Sequence, residues 1–320
     1  MFSEKKPLII LTGPTAVGKT SLSIELAKAV NGEIISADSM QVYRHMDIGS
    51  AKITPEEMEN IPHHLIDVLD PDEDFNVVTF QKLAKKAAGD IWMREKIPII
   101  AGGTGFYIQA LLYDIDFTEQ QCDETYRRQL EDLAREHGAE YLHGILREVD
   151  PASAEAIHAN NIKRVIRALE FYHLSGKKIS EHNETERQKQ SPYNFAYFVL
   201  TDERAKLYER IDRRVNAMIE AGLVEEVKKL KSMGCSREMV SMQGLGYKEI
   251  LAYLDGGCTL EEAVYIIKRE TRHFAKRQLT WFKRERDVIW LDKQAFGYDD
   301  AAILTDMISI LEEKEIISHE

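Results

Sequence analysis

The 320-residue chain predicts an α/β protein: a P-loop core with a parallel sheet flanked by helices, plus an inserted all-helical domain. Three observations predict it. Short β-rich runs alternate with helical patterns over the first hundred residues. Strand patterning then disappears between about 115 and 190. A glycine-rich octet, "GPTAVGKT" at 13–20, joins an apolar run to a helical one.

The elements follow in order. "PLIILTG" reads as a strand, the residues after Lys19 as a helix, "GEIISAD" and "HHLIDVLD" as strands, Val77 to Lys96 as a helix and "IPIIAGG" as a strand. From Ile115 to Gln190 only helical periodicity is found, so the expected division is 1–114 and 191–320 for the core and 115–190 for the insertion. "NFAYFVL" restores the strand pattern. Helical segments from Glu203 to Met233 and from Leu260 to Lys283 precede a last strand, "DVIWLD", and the tail after Gly297 reads as an acidic surface helix.

With 44% hydrophobic and 30% charged residues, the composition is that of a globular protein in water. No apolar stretch approaches the roughly 20 residues of a membrane span, and "MFSEKKPLII" is too short for a signal peptide. The expectation is a cytoplasmic protein with no membrane partner. A net charge of −12 argues against nonspecific coating of nucleic acid, so a polyanionic partner must meet a local basic surface. Cys122, Cys235 and Cys258 lie far apart and read as reduced bystanders.

The octet has the spacing G-x-x-x-x-G-K-T of a phosphate-cradling loop. Backbone N–H groups of Gly13, Pro14, Thr15, Ala16, Val17 and Gly18 would face an anion at a helix N-terminus, prolines excepted. Lys19 would add a charge and the Thr20 hydroxyl would ligate Mg²⁺. A hydrolase would also need an aspartate at a strand end; Asp67, Asp70 and Asp202 are weak candidates, the last reading better as a helix cap. Phosphate binding is therefore predicted, and ATP hydrolysis is not.

Asp38 and Ser39 follow an apolar run at the carboxyl edge of the sheet, where open parallel sheets bind ligands. Asp38 suits a general base, with Ser39 and Gln41 positioning a substrate, or equally a helix N-cap. "AGGTGFY" repeats the geometry with Thr104 as a hydroxyl donor, or is simply a turn into a helix. Arg210 and Arg214, four residues apart, could clamp a diphosphate or pair with nearby acids. Basic residues at 163–167 and 268–286, the latter interleaved with Phe274, Trp281 and Phe282, suit phosphate contacts and base stacking, or a solvated helix face. His63 and His64 lack a third ligand for zinc.

In this order GPTAVGKT, DSMQVYRHMDIG, HHLIDV, AGGTGFY, NNIKRVIRALE, GLGYKE and AKRQLTWF resemble the bacterial tRNA dimethylallyltransferases, from about residue 8 to 292. The resemblance implies transfer of a dimethylallyl group from dimethylallyl diphosphate to N6 of adenosine 37 in tRNAs reading UNN codons. It implies Mg²⁺ as cofactor and an insertion that grips the tRNA anticodon stem-loop; the expected assembly is a monomer. Asp38 matches the family's general base and Thr104 its hydroxyl beside the reacting centre. The tRNA-contacting segments match Asp38, Ser39, Met40 and Gln41, then Thr104 and Arg127, then Lys163, Arg164, Val165, Ile166 and Arg167. They continue through Ser241, Gln243, Gly244 and Gly246 to Lys276, Arg277, Gln278, Thr280, Trp281 and Lys283. "GSAKI" and Val17 depart slightly from the family pattern. A kinase for a small metabolite and a free-adenylate prenyltransferase are the alternatives.

Overall fold

A computed structural model describes residues 5–117 and 123–318. Cys122 lies outside the described residues. The chain forms two compact units, one of residues 1–112 and 192–320 and one of residues 113–191.

The first unit is built on six parallel strands: β1 (Lys6–Thr12), β2 (Gly32–Ala37), β3 (His63–His64), β4 (Ile97–Gly102), β5 (Tyr193–Thr201) and β6 (Val288–Asp292), in the order β3-β2-β4-β1-β5-β6. Leu8, Ile9, Ile10 and Leu11 are all buried, without alternation, because helices cover both faces of a parallel sheet. Thr12 and Ala37 both pair with Gly102. The chain therefore leaves β1, β2 and β4 at one level, and three loops emerge together at the carboxyl edge.

The first unit's helices before the insertion are α1 (Lys19–Ala29), α2 (Val77–Met93) and α3 (Gly105–Leu112). The Asn76 side chain caps α2 by accepting the Val78 and Thr79 N–H groups. The second unit holds α4 (Glu124–His137), α5 (Ala139–Val149), α6 (Pro151–Ala156), α7 (Ile162–Ser175) and α8 (Ile179–Gln188). Its own core gathers Leu130, Leu142, Leu146, Val165, Ile166 and Leu169. Buried Asp150 accepts the hydroxyls of Ser153 and Ser180 and so ties α6 to α8.

After β5 come α9 (Arg204–Glu220), α10 (Leu223–Ser232), α11 (Tyr247–Leu254), α12 (Leu260–Phe282) and, after β6, α13 (Asp300–Glu313). Three expectations are corrected here. The helix expected from Glu203 to Met233 is broken at Gly222, whose φ of 100° is left-handed. "HHLIDVLD" forms a two-residue strand only, because Leu65 and Asp67 are also left-handed. The tail helix α13 is not merely a surface element: Ile303, Met307 and Leu311, four apart, are buried in the sheet's core with Leu22, Leu26 and Leu207. Among the described residues no helix is long and apolar enough to cross a membrane.

Candidate active site

The octet forms a loop between β1 and α1. Gly13 has φ 146°, and a Cβ there would overlap the Leu200 carbonyl of β5, so this turn accepts glycine alone. Ala16 is left-handed at φ 63°, a strain of about 1 kcal/mol held by the surrounding fold. The Lys19 ammonium donates to the carbonyls of Gly13 and Pro14 at 2.9 and 2.8 Å. The loop is thus closed by the lysine that would meet its anion.

A cavity of about 470 Å³ opens beside it, lined by Thr15, Lys19, Thr20, Asp38, Arg214 and Gln278 among others. Burial and, after it, the Arg214 charge lower the Lys19 pKa against the opposing pull of Asp38, and together they bring it to about 7. Burial also pushes the Arg214 guanidinium down from its ordinary value, again against the pull of Asp38. Lys19 and Arg214 therefore share this lining with the Asp38 carboxylate, beside Arg210 and Arg213. An arriving diphosphate would neutralise the two cations.

Asp38 does not cap a helix. Its Oδ1 accepts the Met40 N–H at 2.8 Å in a local turn, which fixes the carboxylate while leaving Oδ2 without a hydrogen bond among the described residues. Gln41 accepts from the Ser36 hydroxyl at 3.0 Å, and it lines the cavity with Asp38. Thr104 is not among the cavity-lining residues. Its amide donates to the Ala37 carbonyl at 3.2 Å, which keeps it beside the strand end that carries Asp38.

The two arginines of α9 separate. Arg210 lines the cavity but its guanidinium donates to buried Asp202, which also accepts the Tyr298 hydroxyl at 3.1 Å. Arg214 has no ion pair among the described residues, so of the two it is the guanidinium left unpaired in the cavity. Asp202 is corrected as well: it anchors Arg210 and leaves α9 without a side-chain cap. Asp67 pairs with Lys52 and Asp70 with Arg44.

Gln278 is buried, and its position changes its expected role. Its Oε1 accepts the Thr15 N–H at 2.9 Å, and its Nε2 donates to the Gly103 carbonyl at 3.0 Å. A Cβ at residue 103 would overlap this amide, so the paired glycines admit it. No local pattern signals such a bridge. Ser36, unselected from the sequence, lines the same cavity, as do Arg213 and Phe274.

The residues expected to contact RNA divide by exposure. Lys163, Arg164 and Arg167 are exposed on α7, as are Lys276, Arg277, Thr280 and Lys283 on and just after α12. None of these lysines and arginines has an ion pair among the described residues. Val165 and Ile166 are corrected: both are buried in the insertion's core, since successive helical residues point about 100° apart. Ser241 is fully buried and donates to the Pro71 carbonyl at 2.6 Å. The Gln243 amide donates to the Arg237 carbonyl, and the Gly246 N–H to Glu249 at 2.9 Å. Gly244 sits against the Met40 sulfur. Arg127 pairs with buried Glu170 at 2.7 Å. Trp281 packs beside Gly105 and meets Phe106 edge-on, with ring centroids 6.1 Å apart.

Magnesium binds oxygen, keeps several waters and takes one or two protein ligands beside substrate phosphates. The Thr20 hydroxyl, exposed at the start of α1, fits that demand. Among the described residues no group of three or more His, Cys, Asp or Glu side chains gathers to hold a metal. The donor set therefore suits an ion arriving with a diphosphate. His64 bonds Glu33 at 2.8 Å and His63 the Ile61 carbonyl at 2.8 Å.

The tRNA dimethylallyltransferase of Lachnoclostridium phytofermentans is 65% identical over 98% of this chain and 99% of its own length. The crystal structure of a full-length tRNA isopentenylpyrophosphate transferase from Bacillus halodurans superposes with a TM-score of 0.73 at 47% identity, covering 97% of this chain and 98% of that one. A eukaryotic dimethylallyltransferase acting on tRNA superposes with a TM-score of 0.77 at 33% identity, covering 90% and 74%. An isopentenyl transferase family model matches residues 6–69, and the IPP transferase model matches residues 41–285, most of the chain. The chain belongs to the IPP transferase family.

Proposed function

We propose that the protein is a tRNA dimethylallyltransferase, moving a dimethylallyl group from dimethylallyl diphosphate to the exocyclic N6 of adenosine 37 in tRNAs reading UNN codons. The observation that carries this reading is the single cavity shared by the phosphate loop, Arg214 and Asp38. The names of the relatives point to the same reaction. A kinase reading lacks a second metal-binding aspartate, since Asp67, Asp70 and Asp202 are each committed to a cation.

The adenine amine is a poor nucleophile because its lone pair is delocalised into the ring. Stabilising the leaving group therefore dominates. Lys19, Arg214 and the loop's free N–H groups take up charge as the allylic C–O bond breaks and inorganic pyrophosphate departs. Thr20 would hold a magnesium ion on the diphosphate, where it supplies further charge neutralisation. As N6 bonds the allylic carbon, the free oxygen of Asp38 accepts the proton that N6 loses.

The base reaches Asp38 only if it leaves the stack, which costs least in a single-stranded loop. The exposed cations of α7 and of α12 would hold the phosphates of the anticodon stem-loop. We place the enzyme in the cytoplasm as a monomer. Incubation with allyl-labelled dimethylallyl diphosphate and an anticodon stem-loop tests the reading: label is expected in the RNA. Transfer of label from γ-labelled ATP to a small acceptor instead would establish the kinase.

A further inference from the structure

Gln278 occupies a junction that the proposed reaction does not by itself explain. It is 6% exposed and sits on α12, where the neighbouring Lys276 and Arg277 are exposed. One turn of this helix therefore turns cations to solvent and an amide into the cavity. That amide holds two loops at once, the phosphate loop through the Thr15 N–H and the β4–α3 loop through the Gly103 carbonyl, at 2.9 and 3.0 Å. Both bonds are short enough to be specific, and the one side-chain amide supplies the acceptor through its oxygen and the donor through its nitrogen.

We propose that Gln278 is a positioning residue that sets the phosphate loop and links donor binding to RNA bound on the outward face of α12. The proposal rests on the transferase reading given above. RNA phosphates on Lys276 and Arg277 fix the helix, the fixed helix holds Gln278, and Gln278 holds Thr15 in the form that accepts a diphosphate. By linkage the effect is reciprocal: each substrate tightens the other.

The test is calorimetric titration of inorganic pyrophosphate into the full chain, with and without an anticodon stem-loop RNA. Wild type is expected to bind pyrophosphate about 5-fold or more tightly with RNA present. Gln278→Met keeps the volume and removes both hydrogen bonds. It is expected to weaken pyrophosphate severalfold without RNA, to abolish the gain from RNA, and to raise KM for dimethylallyl diphosphate more than it lowers kcat. RNA affinity measured without pyrophosphate is expected to stay at the wild-type value.

No linkage in the wild type would overturn the proposal, whatever the variant does. So would a Gln278→Met protein that binds pyrophosphate normally but has lost RNA affinity, since Gln278 would then serve the RNA alone. Absence of allyl label in RNA with wild type would remove the transferase reading instead, and the pyrophosphate titration without RNA separates that case from this one.

Discussion

Gln278 accepts the Thr15 N–H at 2.9 Å across 263 residues of sequence. The bond joins the end of a long helix near the carboxyl terminus to the loop that opens the fold. It also removes Thr15 from the set of amides free to meet an anion. On the function proposed above, the cradle would draw on the amides from residue 16 onward, with Lys19 and Arg214 as its cations.

Lys19 stands near pH 7 in its folded setting, below its ordinary 10.5, because burial and Arg214 outweigh Asp38. A bound diphosphate favours the charged form, so binding above pH 7 must draw in a proton. Pyrophosphate titrations in buffers of different ionisation heat should show net uptake that grows from pH 7 toward 9. Lys19→Ala should abolish that uptake and weaken the donor at least tenfold. Uptake unchanged in the variant would assign the proton elsewhere.

On α7 neighbouring residues should behave oppositely. Arg164→Ala and Arg167→Ala should each weaken RNA binding and reduce the slope of log affinity against log salt by about 0.7, with the melting temperature unchanged. Val165→Ala, fully buried, should instead cost about 1–3 kcal/mol of stability and leave the salt slope alone. Urea unfolding and filter binding read both. A salt slope altered by Val165→Ala would restore its contact with RNA.

Glu33 is buried beneath Arg94, His64 and Lys96. Burial raises its pKa, but hydrogen bonds from those three side chains win and hold it at about 2, against 4.5 when unperturbed. The carboxylate thus contributes stability that is present above pH 4.5 and is lost as pH falls through 2. Glu33→Gln should cost about 2 kcal/mol at pH 7, allowing for the exposure of Arg94 and Lys96. Urea unfolding should show that gap narrowing by pH 3. An equal gap at both pH values would contradict the ionic account.

What the sequence made legible was local. The phosphate loop declared itself because its glycines, Lys19 and Thr20 lie within eight residues, and Asp38 because it ends an apolar run. Tertiary relations were hidden: nothing near Gln278 names Thr15, and nothing near Arg210 names Asp202 as its partner. Val165 and Ile166 were misread because a contiguous motif carries both faces of a helix. The burial of α13 was legible in the spacing of Ile303, Met307 and Leu311, a signal masked by Asp306 between them and by the acidic residues at both ends of the helix.

The most direct measurement is the single-turnover rate of allyl transfer to an anticodon stem-loop at saturating RNA and donor, for wild type and Asp38→Ala. The variant is expected to lose roughly 10²-fold or more in rate. Its affinities for RNA and pyrophosphate should stay within about threefold of wild type. A variant that transfers at the wild-type rate would contradict the assignment of Asp38 as the base and, with it, the placing of the chemistry in this cavity.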